Sequence, residues 1–376
     1  MRHRFELGFV VVLGLTAWGC AMSFTRPAPE ADIVDDQPRV MPSDGAGVDA
    51  AVSEDAALSE DAAAADAGIG APAPLPAVPP HRAAWVTDTR HDRVMVIDLE
   101  SELLVAEVAV GGMPRPIAAS PDGRTVYVGN NADGTISVVD VARREVVRTI
   151  ALQGRAANAM AVHPSGATLY TATTAGLLEV ELAAGTIGRT LSGFGPSAGI
   201  AVSPDGTTIF AATDFNSRSL AMIDVSGFFV RHTLSGFTGI ARVRFGPDGD
   251  LYVADERAGA VVVVGGPFGD VIRRIPVPGA PFAVAVTEDV QALVIGHDQD
   301  APQRMDLVQI DGEGAHDVSD VPAGAGAVPS VQMGADGVAY AAGFLTGEVF
   351  VLDTRSSRVR ARIATAGAPF DLVLVP

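Results

Sequence analysis

The residue types best suited to bind a ligand in this chain are two closely spaced arginines and one aspartate. Arg242 and Arg244 lie two positions apart in an alternating segment, so an extended strand places both side chains on one face. Asp371 occupies the position that corresponds to Arg242 in the last segment. Since arginine is rarely buried without a partner, these residues predict either an internal ion-pair network or a site for an anion such as a carboxylate or phosphate.

A second group of polar residues recurs directly after short apolar segments. If their loops emerge on one side of the fold, they form an acidic rim that suits a cationic or hydroxyl-rich ligand or a protein partner. An ordinary solvated loop surface is the alternative. The binding candidates in this group are Asp88, Asn130, Asp214, Asp255, Glu256 and His297. No metal site is predicted, because the acids after His297 do not have the spacing of a known calcium loop.

The chain offers few residues and motifs that could act in catalysis. Cys20 is the only cysteine and lysine is absent, which excludes Schiff-base chemistry on lysine. The histidines are scattered, and no H-E-x-x-H, P-loop, paired C-x-x-C, G-x-S-x-G or C-x-x-C-H motif occurs. We therefore expect a binding protein without catalytic residues, metal or cofactor, while an enzymatic role stays open.

Residues 1–20 have the layout of an export signal. Arg2 and Arg4 precede an apolar stretch over residues 7–18 that is short for a membrane span, and Cys20 follows directly. The segment resembles a bacterial lipoprotein signal, in which this cysteine is lipidated and becomes the mature N-terminus. Plain secretion and an uncleaved anchor are the alternatives. The resemblance implies an exported protein anchored in the cell envelope, on the periplasmic side or at the cell surface.

Residues 21–80 differ in composition from the rest of the chain. Ala, Asp, Pro and Gly dominate, and eleven acidic residues stand against two arginines. Such a segment buries too little apolar surface to offset its chain entropy, so we expect a disordered, acidic linker. The formal net charge of −19 also argues against nucleic acid as a partner.

One aromatic position recurs about every 40 residues in the remaining chain. Aligned on this position, which we call the aromatic slot, the units read AWVTD, VYVGN, LYTAT, IFAAT, LYVAD, ALVIG and AYAAG. Each unit holds short apolar or alternating segments separated by turn sequences such as Pro-Asp-Gly at 121–123, and no helical period is found. The slot side chains are expected to pack one unit on the next rather than to bind a ligand.

Repeated four-stranded antiparallel units predict an all-β fold, a seven-bladed β-propeller over residues 81–376. The domain starts with the second strand of a unit, at Trp85, and ends with a first strand near residues 370–375. We therefore expect the C-terminal strand to pair with the N-terminal blade and so to close the ring.

The repeat resembles the YVTN-type β-propeller repeat of bacterial and archaeal surface proteins. The resemblance rests on P-x-x-ϕ-A-x-S-P-D-G, then ϕ-Y-V-x-N/D and ϕ-x-V-ϕ-D, and covers residues 84–376. The sixth unit departs from the pattern, since it lacks the aromatic residue and carries extra residues. The resemblance implies the fold, and it allows a binding platform, a protein-interaction module or an enzyme.

The combined expectation is a membrane-tethered, extracytoplasmic propeller that serves as a binding or protein-interaction platform. An envelope protein or a glycan is the expected partner, with lipidated Cys20 as the link to the membrane. One alternative is a lactonase-like hydrolase with its site at the mouth of the central channel. The other is an accessory subunit of a periplasmic oxidoreductase.

Overall fold

The computed structural model describes residues 83–375 with interruptions. Undescribed within this span are residues 198, 215–216, 267–268, 287–291, 298–304, 312–313, 322–328, 335–336 and 357. The side chains of 292–297, 305–311 and 314–321 are also outside the description. The predicted signal over residues 1–20, the predicted linker over 21–80 and Cys20 lie outside the described residues. Within the described residues, no helix is long and apolar enough to cross a bilayer.

The described chain forms strands in four-stranded antiparallel sheets, with one short 3₁₀ helix at Glu256–Ala258. In chain order the first strands are β1 (Ala83–Asp88), β2 (Arg93–Asp98), β3 (Leu103–Ala109), β4 (Pro114–Ala119), β5 (Thr125–Asn130), β6 (Thr135–Asp140), β7 (Glu145–Ala151), β8 (Ala159–Val162), β9 (Thr168–Thr173), β10 (Gly176–Glu181), β11 (Thr186–Leu191), β12 (Ile200–Val202), β13 (Thr208–Ala212) and β14 (Leu220–Asp224). They are followed by β15 (Phe229–Leu234), β16 (Ile240–Phe245), β17 (Leu251–Asp255), β18 (Ala260–Gly265), β19 (Asp270–Pro276), β20 (Ala280–Val286), β21 (Ala292–His297), β22 (Met305–Asp311), β23 (Gly314–Val321), β24 (Ser330–Met333), β25 (Val338–Gly343), β26 (Glu348–Asp353), β27 (Arg358–Ala364) and β28 (Pro369–Val375).

The sheets have a repeated order. Strands β4 to β7 pair consecutively, as do β8 to β11, β12 to β15, β16 to β19, β20 to β23 and β24 to β27, while β28 joins β1, β2 and β3. The second strand of each sheet is buried on both faces where its side chains are described, as in β5, whereas an outer strand such as β7 alternates between exposed and covered residues. Burial therefore follows the position of a strand within its sheet.

The Pro-Asp-Gly sequence makes the turn that the sequence predicts. Gly123 has a φ of 68°, a conformation that glycine adopts without steric cost, and its N–H donates to the carbonyl of Ser120. The Ser120 hydroxyl donates to Asp122 Oδ1 at 2.6 Å. This turn links β4 to β5 and sets the register of the first hairpin in its sheet.

The aromatic slot packs neighbouring sheets together. Trp85 shares a cluster with Val126 and Val128 of the next sheet, and Tyr340 shares one with Met95 and Ile97 across the N- and C-terminal junction. The described slot side chains are at most 6% exposed: Trp85, Tyr127, Tyr170, Phe210, Tyr252 and Tyr340. The predicted packing role of the aromatic slot is confirmed.

The prediction of seven blades in a ring closed by strand pairing needs correction. Six blades have described side chains on all four strands, whereas the β20–β23 sheet has them only on β20, so six equivalent blades with a packed core are shown rather than seven. This divergent sheet arises from the unit whose slot holds Leu293.

The closure of the ring is the second correction. Every pairing between described strands lies within one sheet, and β28 pairs with β1 inside the first sheet, so hydrogen bonds do not close the ring from blade to blade. The physical reason is that each sheet pairs most of its backbone groups internally and turns its side chains towards its neighbours, so that only isolated backbone bonds, such as that from the N–H of Ile240 to the carbonyl of Ser217, cross between blades. Side-chain packing therefore joins successive blades.

Candidate functional site

A cavity of about 70 Å³ lies where the innermost strands of the sheets meet. Small residues such as Ala159 and Ala283 leave room there, and side chains from β16, β24 and β28 supply its polar groups. Those polar groups belong to Arg242, Arg244, Ser330, Gln332 and Asp371. The structure thus brings together the three charged residues that the sequence singled out as anion-site or ion-pair candidates.

The two arginines have different partners in this cavity. Arg244 Nη1 donates a hydrogen bond to Gln332 Oε1 at 2.5 Å. Arg242 Nη1 lies 3.7 Å from Asp371 Oδ2, an ion-pair distance too long for a hydrogen bond. The Nε atom of Arg242 is buried without a hydrogen-bond partner among the described residues. Both alternatives from the sequence remain chemically available, because one arginine has an acidic partner and the other has a neutral one.

The environment of the cavity is electrostatically unbalanced. Burial lowers the pKa of Arg244 from its usual value, the nearby Asp371 raises it and Arg242 lowers it again. Arginine remains charged despite such shifts, since its usual pKa exceeds 12. The lining therefore carries two guanidinium groups against the single carboxylate of Asp371, which is itself only 6% exposed.

The position of Asp371 is held by neighbouring strands. Its Oδ1 accepts from the N–H of Leu372 at 3.0 Å, and its own N–H donates to Thr87 Oγ1 at 3.0 Å. The Thr87 hydroxyl in turn donates to the carbonyl of Arg115 on β4 at 2.9 Å. Strands β1, β4 and β28 thus share the support of this carboxylate.

Three of the predicted rim residues are buried and stabilise neighbouring loops. Asp88, Asn130 and Asp255 each have 0% exposure. Asp88 accepts from the N–H of Ala368 at 2.8 Å, and Asp255 accepts from the N–H of Gly239 at 2.8 Å. These side chains hold the loops in place, and the structure does not present them at an open rim.

The other rim candidates are spread over different sheets. Asp214 is exposed, and Glu256 is half-buried, where burial raises its pKa. His297 pairs through its backbone with Ala280, and its side chain lies outside the description. Among the described residues, no group of three or more His, Cys, Asp or Glu side chains is arranged to hold a metal ion.

Sequence reasoning missed an aromatic and cationic patch beside the channel. We call the surface that carries the loops after β1, β5, β9, β13, β17 and β25 the upper face. There the guanidinium of Arg115 lies 5.3 Å from the ring centroid of Phe370, and Phe344 meets Phe370 edge-to-face with centroids 5.9 Å apart. Leu345, next to Phe344, is 58% exposed. We call Arg115, Phe344, Leu345 and Phe370 the upper-face patch.

A signal for this patch was present in the sequence. Arg115 and Phe370 stand three residues before Ala118 and Val373, which are equivalent positions on adjacent innermost strands. Burial lowers the pKa of Arg115, and its Nε has no hydrogen-bond partner among the described residues. The alignment that singled out Arg242 and Arg244 would also have found this pair, one position before that of Arg242.

The architecture is similar to that of several solved structures. A chain of Kuenenia stuttgartiensis hydrazine synthase has a TM-score of 0.62 and 21% identity, covering 77% of this chain and 98% of its own. A putative 6-phosphogluconolactonase from Bacteroides uniformis has a TM-score of 0.64 and 15% identity, covering 78% and 99%. The chain has a β-propeller fold.

A third similar structure has no assigned function. This Desulfotomaculum acetoxidans protein is described as functionally unknown and has a TM-score of 0.66 with 15% identity, covering 78% of this chain and 98% of its own. No family model matches the sequence, and no curated protein matches it. The likenesses therefore establish the β-propeller fold alone, and the resemblance to YVTN-type repeats stays a prediction.

Proposed function

We propose that this protein is a binding platform of the cell envelope, which captures a protein partner on its upper face and is held at the membrane by lipidated Cys20. The observation that carries the proposal is the upper-face patch. It combines an exposed aliphatic side chain, two half-buried rings and a partly buried guanidinium. Aromatic residues and arginine are enriched at protein interfaces, so this combination suits recognition.

The chemistry of the patch indicates what its partner presents. Arg115 lies over the ring of Phe370, and its partly buried guanidinium suits a carboxylate or carbonyl oxygen at the edge of the contact. Leu345 and Phe344 offer apolar area beside it. The partner is therefore an envelope protein with an apolar side chain next to an acidic one, and a surface glycan is the competing outcome.

A matched pair of variants tests this platform. Leu345→Asp places a charge in the upper-face patch, whereas Leu103→Asp alters an equally exposed leucine, 61% against 58%, at the opposite end of a blade. With the full chain as bait in envelope extract, the same protein should be captured by the wild type and by Leu103→Asp, and lost with Leu345→Asp. Capture that both variants retain, or that soluble glycan abolishes, contradicts the proposal.

The structural likenesses favour two other candidates. Similarity to a chain of hydrazine synthase supports an accessory subunit in a periplasmic oxidoreductase, and similarity to a putative 6-phosphogluconolactonase supports a lactonase-like hydrolase. Both likenesses fall below 25% identity. If the full chain hydrolyses a lactone and His297→Ala abolishes this activity, the result would support the hydrolase and contradict the binding platform. Co-purification with a redox enzyme through the upper face would select the accessory subunit.

A further inference from the structure

The axial cavity has a composition unlike the rest of the molecule. The whole chain is acidic, with a formal net charge of −19, yet two of the three charged side chains around the cavity are arginines. None of the upper-face patch residues belongs to the cavity lining. The cavity is therefore a separate feature, and its role does not depend on the proposed platform.

The described residues do not cancel the cationic excess in the cavity. The carboxylate of Asp371 balances one positive charge, because its Oδ2 lies 3.7 Å from Arg242 Nη1. Gln332, the hydrogen-bond partner of Arg244, is a neutral amide and cannot compensate a guanidinium. One positive charge is left over in a confined space where water screens poorly, which favours the capture of one negative charge.

Hydrogen-bond donors also outnumber acceptors at this point. A guanidinium has five N–H groups, so the two guanidinium groups of Arg242 and Arg244 bring ten donors to one side of β16. Arg242 Nε–H is buried with no hydrogen-bond partner among the described residues, so the surrounding side chains leave part of this guanidinium unsatisfied. The Ser330 hydroxyl and the Gln332 amide lie in the same lining and can add donors.

We propose that Arg242 and Arg244 bind one small carboxylate in the axial cavity, either free or as the end of a longer ligand. A carboxylate carries the single charge that the lining lacks, and its two oxygens match the planar fork of a guanidinium. A cavity of about 70 Å³ exceeds the roughly 10–15 Å³ that one water needs, so it has room for a group of a few heavy atoms.

Asp371 tunes the affinity of this site. It neutralises Arg242 in part and is fixed by the N–H of Leu372, so it opposes a second anion through like-charge repulsion. In a purely internal ion-pair network, by contrast, Asp371 would be the only anion that the arginines bind. Removal of the Asp371 charge therefore separates the two alternatives, because it should improve the binding of an added carboxylate only if the site exists.

Calorimetric titration of the full chain with sodium acetate and sodium formate tests the site, with ionic strength held constant by chloride. The variants are Arg244→Met, Asp371→Asn and, as a control, Arg143→Met, whose side chain is 67% exposed on the surface. Saturable binding should occur in the wild type and in Arg143→Met. It should weaken at least about tenfold in Arg244→Met and tighten about tenfold in Asp371→Asn, as loss or gain of one charged interaction predicts.

Several outcomes would overturn the proposal. They are no saturable binding of acetate or formate by folded wild type, unchanged affinity in Arg244→Met, or saturable binding of inorganic phosphate in place of the carboxylates. If Arg244→Met does not fold, the Asp371→Asn titration decides alone, and weaker or absent acetate binding there contradicts the site. Loss of partner capture in Leu345→Asp with intact acetate binding would show that the platform and the cavity are independent.

Discussion

At the scale of single residues, buried carboxylates fasten the loops of the upper face. Asp88 Oδ1 accepts from the N–H of Ala368 at 2.8 Å, and its Oδ2 accepts from Arg93 Nε at 2.9 Å. Asp255 ends the equivalent strand of another sheet and accepts from the N–H groups of Thr238 and Gly239. The residue at the end of the second strand therefore has the same role in both sheets: it holds the chain segment that leads into an innermost strand.

Asp88→Asn should lower the free energy of unfolding by about 1 to 2 kcal/mol, because it removes the charge of a buried group that accepts hydrogen bonds from Ala368 and Arg93, while Arg93 keeps its ion pair with Glu107. Burial alone raises the pKa of Asp88, but hydrogen bonds from Ala368, His91 and Arg93 outweigh it and lower the pKa. The carboxylate thus contributes stability above about pH 4 that disappears as the pH falls through the folded-state pKa.

Urea denaturation between pH 2 and 7 measures this contribution. The wild type should lose stability below about pH 4, and Asp88→Asn should lose less over the same range. Asp98→Asn is the control, because Asp98 caps an exposed turn and its loss should cost less than about 1 kcal/mol at neutral pH. Equal stability losses in the two variants would contradict the fastening role of Asp88.

At the scale of elements, arginines on outer strands reach the hairpin turn of the next blade. Arg148 on β7 donates to the carbonyls of Leu182 and Ala183, which follow β10. Arg189 on β11 donates to the carbonyls of Val225 and Ser226, both at 2.9 Å. These contacts tie one outer strand to the next sheet and complement the apolar packing of the aromatic slot.

Arg189→Lys should lower the free energy of unfolding by about 1 to 2 kcal/mol. Arg189 pairs bidentately with Glu179 and stacks on Phe228 with its Cζ 4.7 Å from the ring centroid. Lysine keeps the charge but has no planar fork to make these contacts together with the carbonyl bonds. Chemical denaturation measures the loss of stability, with Arg358→Lys on the exposed outer strand β27 as the control. Equal denaturation midpoints for the two variants would show that the contacts of Arg189 between blades do not contribute to stability.

At the scale of the whole molecule, the proposed function needs a tether as well as a propeller. The sequence predicts a disordered, acidic linker over residues 21–80, between the proposed anchor and the propeller. The proposed attachment to the membrane depends on Cys20, which lies outside the propeller.

Cys20→Ser should move the protein from the membrane fraction to the soluble extracytoplasmic fraction, because it removes the only thiol that can carry a lipid. Cell fractionation with quantitative blotting measures the shift. The matched control is Ser23→Ala, which lies close by and leaves the thiol intact. A Cys20→Ser protein that stays in the membrane fraction would contradict lipidation and favour an uncleaved anchor.

Much of the fold could be predicted because it is encoded locally. Pro-Asp-Gly turns, alternating strands and the aromatic slot each depend on residues close in sequence, and Trp85 and Tyr340 pack as their positions predict. The count of equivalent blades and the closure by strand pairing needed correction, since both depend on how separate sheets meet. The rim interpretation of Asp88 and Asp255 did not anticipate their burial, because sequence position places a side chain on a loop without showing which backbone groups surround it.

By itself the sequence determined that the chain builds four-stranded antiparallel units with apolar second strands, because these features follow from residue type and alternation. Only the tertiary structure decided which polar groups converge. Arg244 meets Gln332 across 88 positions of chain, and Arg115 meets Phe370 across the junction of the chain ends. Such contacts depend on the ring that places every innermost strand around one axis, and no local pattern encodes the distance across that axis.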